Sequence, residues 1–138
     1  MLKIILIEGR YIVLQASGKL DADDYPEFEK AVEDLASKYE TVRLMLVLRD
    51  FEGWSWSGLS EEFKFGWSHR SKFEKLAIVG EKSSQEKLAW LAEIFSSTIT
   101  EFFLDSEGEA AWKWLHADEN EEYYSWSVMP FVHSPSEN

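Results

Sequence analysis

The sequence predicts an α/β domain: a mixed, mostly parallel sheet of five strands with about four helices. Two observations carry that prediction. Short apolar runs suited to buried strands alternate with longer stretches whose apolar residues recur every three or four positions. The first two strands follow each other across a tight turn, whereas each later pair is separated by a helical stretch. That order calls for one antiparallel hairpin followed by parallel crossovers. A chain of 138 residues fits one such domain, large enough to bury a core without staples.

The elements follow in chain order. Residues 3–7 (KIILI) and 10–17 (RYIVLQAS) read as strands joined at Glu8-Gly9, a hairpin signal. Residues 18–25 (GKLDADDY) form a turn into a helix, with Asp21 or Asp23 able to accept the free N–H groups of its first turn. From Tyr25 the spacing is helical: Tyr25, Phe28, Val32, Leu35 and Ala36 share a face opposite Glu27, Glu29, Lys30, Glu33 and Asp34. Pro26 suits the first turn, where its missing N–H costs nothing.

Residues 41–48 (TVRLMLVL) predict a central strand, and residues 50–58 a loop. A second helix is expected over 59–69, where Leu59, Phe63 and Trp67 stand one turn apart. Residues 75–79 (KLAIV) read as a buried strand closed by Gly80. Residues 85–95 read as a helix, 98–104 as a strand and 107–117 as a last helix. The domain is expected to span 1–117. Residues 118–138 form an extension whose Tyr123, Tyr124, Trp126, Val128, Met129, Phe131 and Val132 are too apolar for a disordered tail, so 123–132 should pack on the domain or on a neighbour.

Composition narrows the function. With 26 acidic and 14 basic residues the net charge is −12, and the basic residues are scattered, which argues against nucleic acid as a partner. The same charge opposes electrostatic docking on anionic lipid, so any membrane contact would be hydrophobic. There is no cysteine, which excludes disulfides, thiolate metal sites and cysteine nucleophiles. The start lacks a signal-peptide core, and no run reaches the ~20 apolar residues of a membrane span. A cytoplasmic location is expected. His116 and His133 lack partners at metal-ligand spacing, and no glycine-rich phosphate loop occurs, so no metal and no cofactor are expected.

Several local patterns, in order, resemble the SpoIIAA-like branch of the STAS superfamily over about residues 3 to 117. The stretch GKLDADDY at 18–25 is similar to the turn that leads into the family's first helix. The strand 44–48 followed by RDFEGW at 49–54 is similar to its strand-to-loop segment. Lys64-Phe65-Gly66, then His69-Arg70, Phe73, Ala77 and Gly80, resemble the run through its second helix into the next strand. One departure is informative. Anti-sigma-factor antagonists of the superfamily carry a phosphorylatable serine in an Asp-Ser-Ser-Gly-Leu motif, and here the run reads Ser55-Trp56-Ser57-Gly58-Leu59. Trp56 stands at the phosphoacceptor position and Ser55 at the Asp position, so that switch is expected to be lost, with Ser57 a poor substitute. What the resemblance implies instead is a binder or carrier of non-polar small molecules, often dimeric, with some membrane association.

The aromatic loop is the strongest functional feature. Phe51, Trp54, Trp56, Leu59, Phe63, Phe65 and Trp67 crowd into 51–67, in a chain with seven Trp, nine Phe and five Tyr. Phe63 and Trp67 share a helix face while Phe65 points roughly opposite, so the expected helix is apolar on two sides. One side can cover the sheet. Covering each side chain on the other side is worth roughly 1.5–3 kcal/mol. The plain alternative is that loop and helix fold over the core, which suits Phe51, Leu59 and Phe63 as well.

The expected site is a non-polar pocket under a mobile second helix, lined by Phe51, Trp54, Trp56, Leu59, Phe63 and Trp67, with His69 and Arg70 as polar anchors. The helix dipole alone accounts for a cation near that helix end. The carboxylates Asp21, Asp23, Asp24, Asp50, Glu52, Glu61 and Glu62 default to solvated turns and helix starts. The alternative is a protein–protein or homodimerisation module with no ligand. A hydrolase built on Ser55, with Asp105 and His116 following in chain order, is disfavoured because the nucleophile elbow requires Gly where Ser57 stands. The chain is therefore expected to bind rather than to catalyse.

Overall fold

The computed structural model describes residues 1–54, 72–81 and 99–117, with Trp54 described through its backbone alone. Five strands, β1 (Leu2–Glu8), β2 (Tyr11–Leu20), β3 (Val42–Trp54), β4 (Phe73–Gly80) and β5 (Ile99–Leu104), form one sheet in the order β1-β2-β3-β4-β5. β1 and β2 pair antiparallel, and the remaining three pairs are parallel. Gly9 turns the hairpin at φ +58, a left-handed conformation that costs glycine nothing. Two α-helices stand among the described residues, α1 (Pro26–Tyr39) and α2 (Gly108–His116). The helices expected over 59–69 and 85–95 fall outside them.

Strand periodicity sorts the core into two layers. Ile12, Leu14 and Ala16 of β2 and Leu44 and Leu48 of β3 point to one face. There they meet Phe28, Val32 and Leu35, the stripe that the α1 periodicity predicts. Tyr11 and Val13 of β2, Met45 and Val47 of β3, and Ala77 and Val79 of β4 point to the other face. They are covered by Ala111, Trp112 and Leu115 of α2. Trp112 is wholly buried, and such a side chain removes on the order of 150–250 Å² from water.

Several boundaries differ from the sequence reading. β2 runs on to Leu20 and β3 to Trp54, where a turn and a loop were expected, because the two extensions pair with each other. Asp21 caps a short 3-10 turn (Ala22–Asp24) and not α1 itself: its carboxylate accepts from the Asp23 N–H, and the Asp24 carboxylate accepts from the Asp21 N–H. The chain then enters α1 through Tyr25 with Pro26 in the first turn. Before α2, Asp105–Glu107 is likewise a 3-10 turn.

Candidate functional site

In an open parallel sheet the carboxyl ends of the strands are where ligands bind, since the connecting loops gather there. At that rim the β2–β3 pairing loses its regularity. Ser17 pairs with Arg49, Gly18 with Phe51, Lys19 with Gly53 and Leu20 with Trp54, so Asp50 and Glu52 are each left over as extra residues on β3. Extra residues of this kind bend a strand and re-aim its side chains, and they concentrate at rims and sites. Asp50 takes φ +50, Gly18 φ +62 and Gly53 φ +101, three left-handed residues within two neighbouring strand ends. Phe51 turns inward and is buried in the α1-side layer with Tyr25 and Phe28, whereas Asp50 and Glu52 are exposed.

The rest of the rim comes from β4 and β5. Gly80 ends β4 against Leu48: a Cβ there would lie 3.2 Å from the leucine side chain. Any larger residue at the close of this strand would have to push the Leu48 side chain aside by a few tenths of an ångström. Beyond β5, Glu107 accepts from the Leu104 N–H at 2.8 Å, and Asp105 Oδ1 is buried with no hydrogen-bond partner among the described residues. Leu104 is exposed. The chain leaves this rim after β3 and after β4, so residues 55–71 and 82–98 both depart from it.

The amino ends of the strands have the opposite character. Arg43, 2 % exposed, donates through Nη1 to the Leu115 carbonyl at 2.6 Å and through Nε to Glu74 at 2.8 Å. Its Nη2 pairs with the same carboxylate. Arg10 joins at 3.5 Å from Glu74 and donates to Thr41 Oγ1 at 3.0 Å. Lys75 donates to the Trp114 carbonyl at 2.8 Å, with its ammonium 4.6 Å from the centre of the Trp114 ring. Two cations thus bind the last carbonyls of α2, which the helix dipole favours.

His116 closes the group. Its ring stacks on Tyr11 at 3.9 Å between centroids, and Nδ1–H donates to the Trp112 carbonyl at 2.8 Å. Burial lowers its pKa below the ordinary histidine value, and the charges of Arg43 and Lys75 lower it further against the pull of the Trp112 hydrogen bond. Burial therefore favours its neutral imidazole form. Asp105 and His116 stand at opposite ends of α2, roughly 13 Å of helix apart. They cannot form the Asp–His couple that a hydrolase triad needs.

With this geometry in view, the comparisons decide the family. A family model described as SpoIIAA-like matches residues 11–116, well over half of the chain. The chain belongs to the SpoIIAA-like family. The resemblance read from the run between residues 18 and 80 is thereby borne out. An uncharacterized protein of the DUF3478 family from Shewanella loihica PV-4, described as having a SpoIIAA-like fold, is similar in structure with a TM-score of 0.69. The two share 24 % identity over 83 % of this chain and 93 % of that one, a likeness of fold. No curated protein matches the chain.

Of the residues singled out for a pocket in this SpoIIAA-like domain, Phe51 lies in the core at the rim and Trp54 ends β3 beside Leu20. Trp56, Leu59, Phe63, Trp67, His69 and Arg70 lie outside the described residues, as do Ser55 and Ser57. The amino-end cluster escaped the sequence reading. Its signal was present, since Arg43 interrupts an apolar strand and Lys75 opens another. Among the described residues no three His, Asp or Glu side chains gather as a metal site, and no helix is long and apolar enough to cross a membrane.

Proposed function

We propose that this SpoIIAA-like domain is a non-catalytic binder that takes up a non-polar small molecule at the carboxyl rim of its sheet. The observation that carries this reading is the path of β3. It delivers Phe51 into the core and Trp54 to the rim through two extra residues, at the start of a segment that holds Trp56, Leu59, Phe63 and Trp67. Apolar contacts of this density with a few polar anchors suit a non-polar ligand. In this reading the segment 55–71 closes over the ligand, with His69 and Arg70 as its polar contacts, and the same aromatics serve any hydrophobic membrane contact. The amino end, whose polar groups are committed to holding α2, supports the reading by contrast.

The test is native mass spectrometry of the freshly purified protein, together with the Trp54→Ala and Trp56→Ala variants. The expected result is a co-purified non-polar molecule that both variants lose while keeping the wild-type fold by circular dichroism. A ligand-free wild type, or variants that unfold at room temperature, would count against the pocket.

A second reading, homodimerisation without a ligand, draws on β5. This edge strand of the described sheet leaves Ile99 59 % and Leu104 41 % exposed, and exposed apolar edges invite pairing. A ligand-free dimer in the same mass spectrum, broken by Ile99→Lys, is its signature.

A further inference from the structure

At the opposite edge of the sheet, β1 and α1 leave an open groove of about 350 Å³. Ile4, Ile7, Ala31 and Leu35 form its apolar floor, and Glu27, Lys30, Asp34 and Lys38 its charged rim. Ile7 is 46 % exposed there. We propose that this groove seats the chain's own C-terminal segment, residues 123–132, laid along β1 with Tyr124, Trp126 and Val128 turned onto Ile4 and Ile7.

Four observations converge on that occupant. The first is where the segment begins. α2 crosses its face of the sheet and ends with His116 stacked on Tyr11, the first residue of β2, which pairs with Glu8 of β1. The chain therefore leaves Ala117 beside the β1–β2 turn, one strand from the groove. The segments 55–71 and 82–98 are instead anchored on β3, β4 and β5, at least two strands away from β1.

The second is reach. Residues 118–123 extend up to about 20 Å. α2 and α1 lie on opposite faces of the sheet, so the path from the end of α2 rounds β1. It takes about 10 Å from helix to sheet, about 5 Å across one strand spacing and about 5 Å more onto the α1 side, the length of the extended linker.

The third is pattern. Tyr124-Ser125-Trp126-Ser127-Val128 alternates large apolar and small polar residues, the period of an extended chain with one apolar side. Ile4 and Ile7 present the matching apolar surface.

The fourth is charge. Asp118, Glu119, Glu121 and Glu122 precede the apolar run. They leave α2 at the end where Arg10 and Arg43 lie against Glu74. Of the charged residues on the groove rim, Glu27, Lys30, Asp34 and Lys38, the one in the last turn of α1 is the cation Lys38. Docking there removes the exposed face of Ile7 from water and also covers the β1 edge, which otherwise offers a template for unwanted pairing.

A chain without cysteine makes the test direct. Ser127→Cys in the full-length protein takes a single nitroxide, and its broadening is read by NMR on the isotope-labelled chain. Ile4, Ile7 and Ala31 are expected to lose most of their signal. All three signals should return in a Trp126→Ser variant of the tagged chain, and those of Ile4 and Ala31 in Ile7→Asp. Unchanged groove signals, or broadening at the carboxyl rim instead, would overturn the proposal. So would broadening that appears in a mixture of tagged unlabelled chain and untagged labelled chain, since the groove then receives the tail of a second copy.

Discussion

The two ends of the sheet are built by different rules. At the amino ends charged side chains are buried and hydrogen-bonded: Arg43 and Lys75 hold the last carbonyls of α2, Glu74 joins Arg43 to Arg10, and His116 lies on Tyr11. At the carboxyl ends the backbone itself is irregular, with Asp50, Gly18 and Gly53 in left-handed conformations and two extra residues in β3. Buried polar groups that satisfy one another specify a single arrangement, whereas strand ends that depart from the ladder free side chains for other uses. One end is an anchor and the other a platform.

Substitutions at the anchor should cost stability and leave the proposed ligand uptake alone. The largest effect is expected from Arg43→Met, which keeps the apolar stem but strips the Leu115 carbonyl of its Arg43 donor and leaves Glu74 with Arg10 and Thr41. Leaving a buried acceptor unsatisfied and losing charged hydrogen bonds should destabilise the fold by about 2–3 kcal/mol. The shift of the urea midpoint reads this directly. A variant as stable as the wild type would mean that α2 is held by Trp112, Leu115 and Lys75 without the Arg43 cation.

His116 adds a dependence on pH to the same end. Its folded pKa lies below the ordinary value because of burial and the neighbouring Arg43 and Lys75. As pH falls below about 6.5 the unfolded chain takes up a proton that the folded chain resists, so stability is full above that value and declines below it. His116→Phe keeps a ring against Tyr11 and removes the titration. Its stability should change less than that of the wild type between pH 7 and 5, measured by urea unfolding across that range. Equal slopes for the two proteins would show that His116 does not contribute to the anchor's acid response.

The smallest effect is expected at the platform. Asp50→Gly gives the left-handed position a residue without the steric cost of a side chain, at the expense of a freer unfolded chain, and should move stability by less than about 1 kcal/mol. The thermal midpoint checks it. A large loss would show that the Asp50 side chain, and not only its backbone, organises the rim, and would blur the contrast between the two ends.

Much of this contrast was hidden in the sequence for a definite reason. The α1 stripe of Phe28, Val32 and Leu35 and the apolar cores of the strands are local patterns, since a helix face or a strand face is set by spacing within a few residues. They could be read directly, and so could the hairpin at Gly9. The extension of β3 through Asp50 to Trp54 could not, because a loop-like composition became a strand only through pairing with residues 18–20 of β2. The partial site is legible to the same degree: Phe51 and Trp54 were singled out as aromatics, but only the sheet separates the one in the core from the one that ends at the rim.

The sequence by itself determined the order of the five strands and of the two described α-helices, the face that α1 buries, the exclusion of cysteine chemistry and a likeness to the SpoIIAA-like family. Tertiary structure alone decided that Arg43 and Lys75 would be the keepers of a helix end, that His116 would be a stacked core residue, and that Asp105 would lie far from it. The physical reason is separation along the chain. The bonds from Arg43 to Leu115 and from Lys75 to Trp114 join residues 72 and 39 positions apart. Spacing rules operate over one or two turns, so a buried charge shows in the sequence only as an interruption, and its partner becomes visible once the fold has brought the two together.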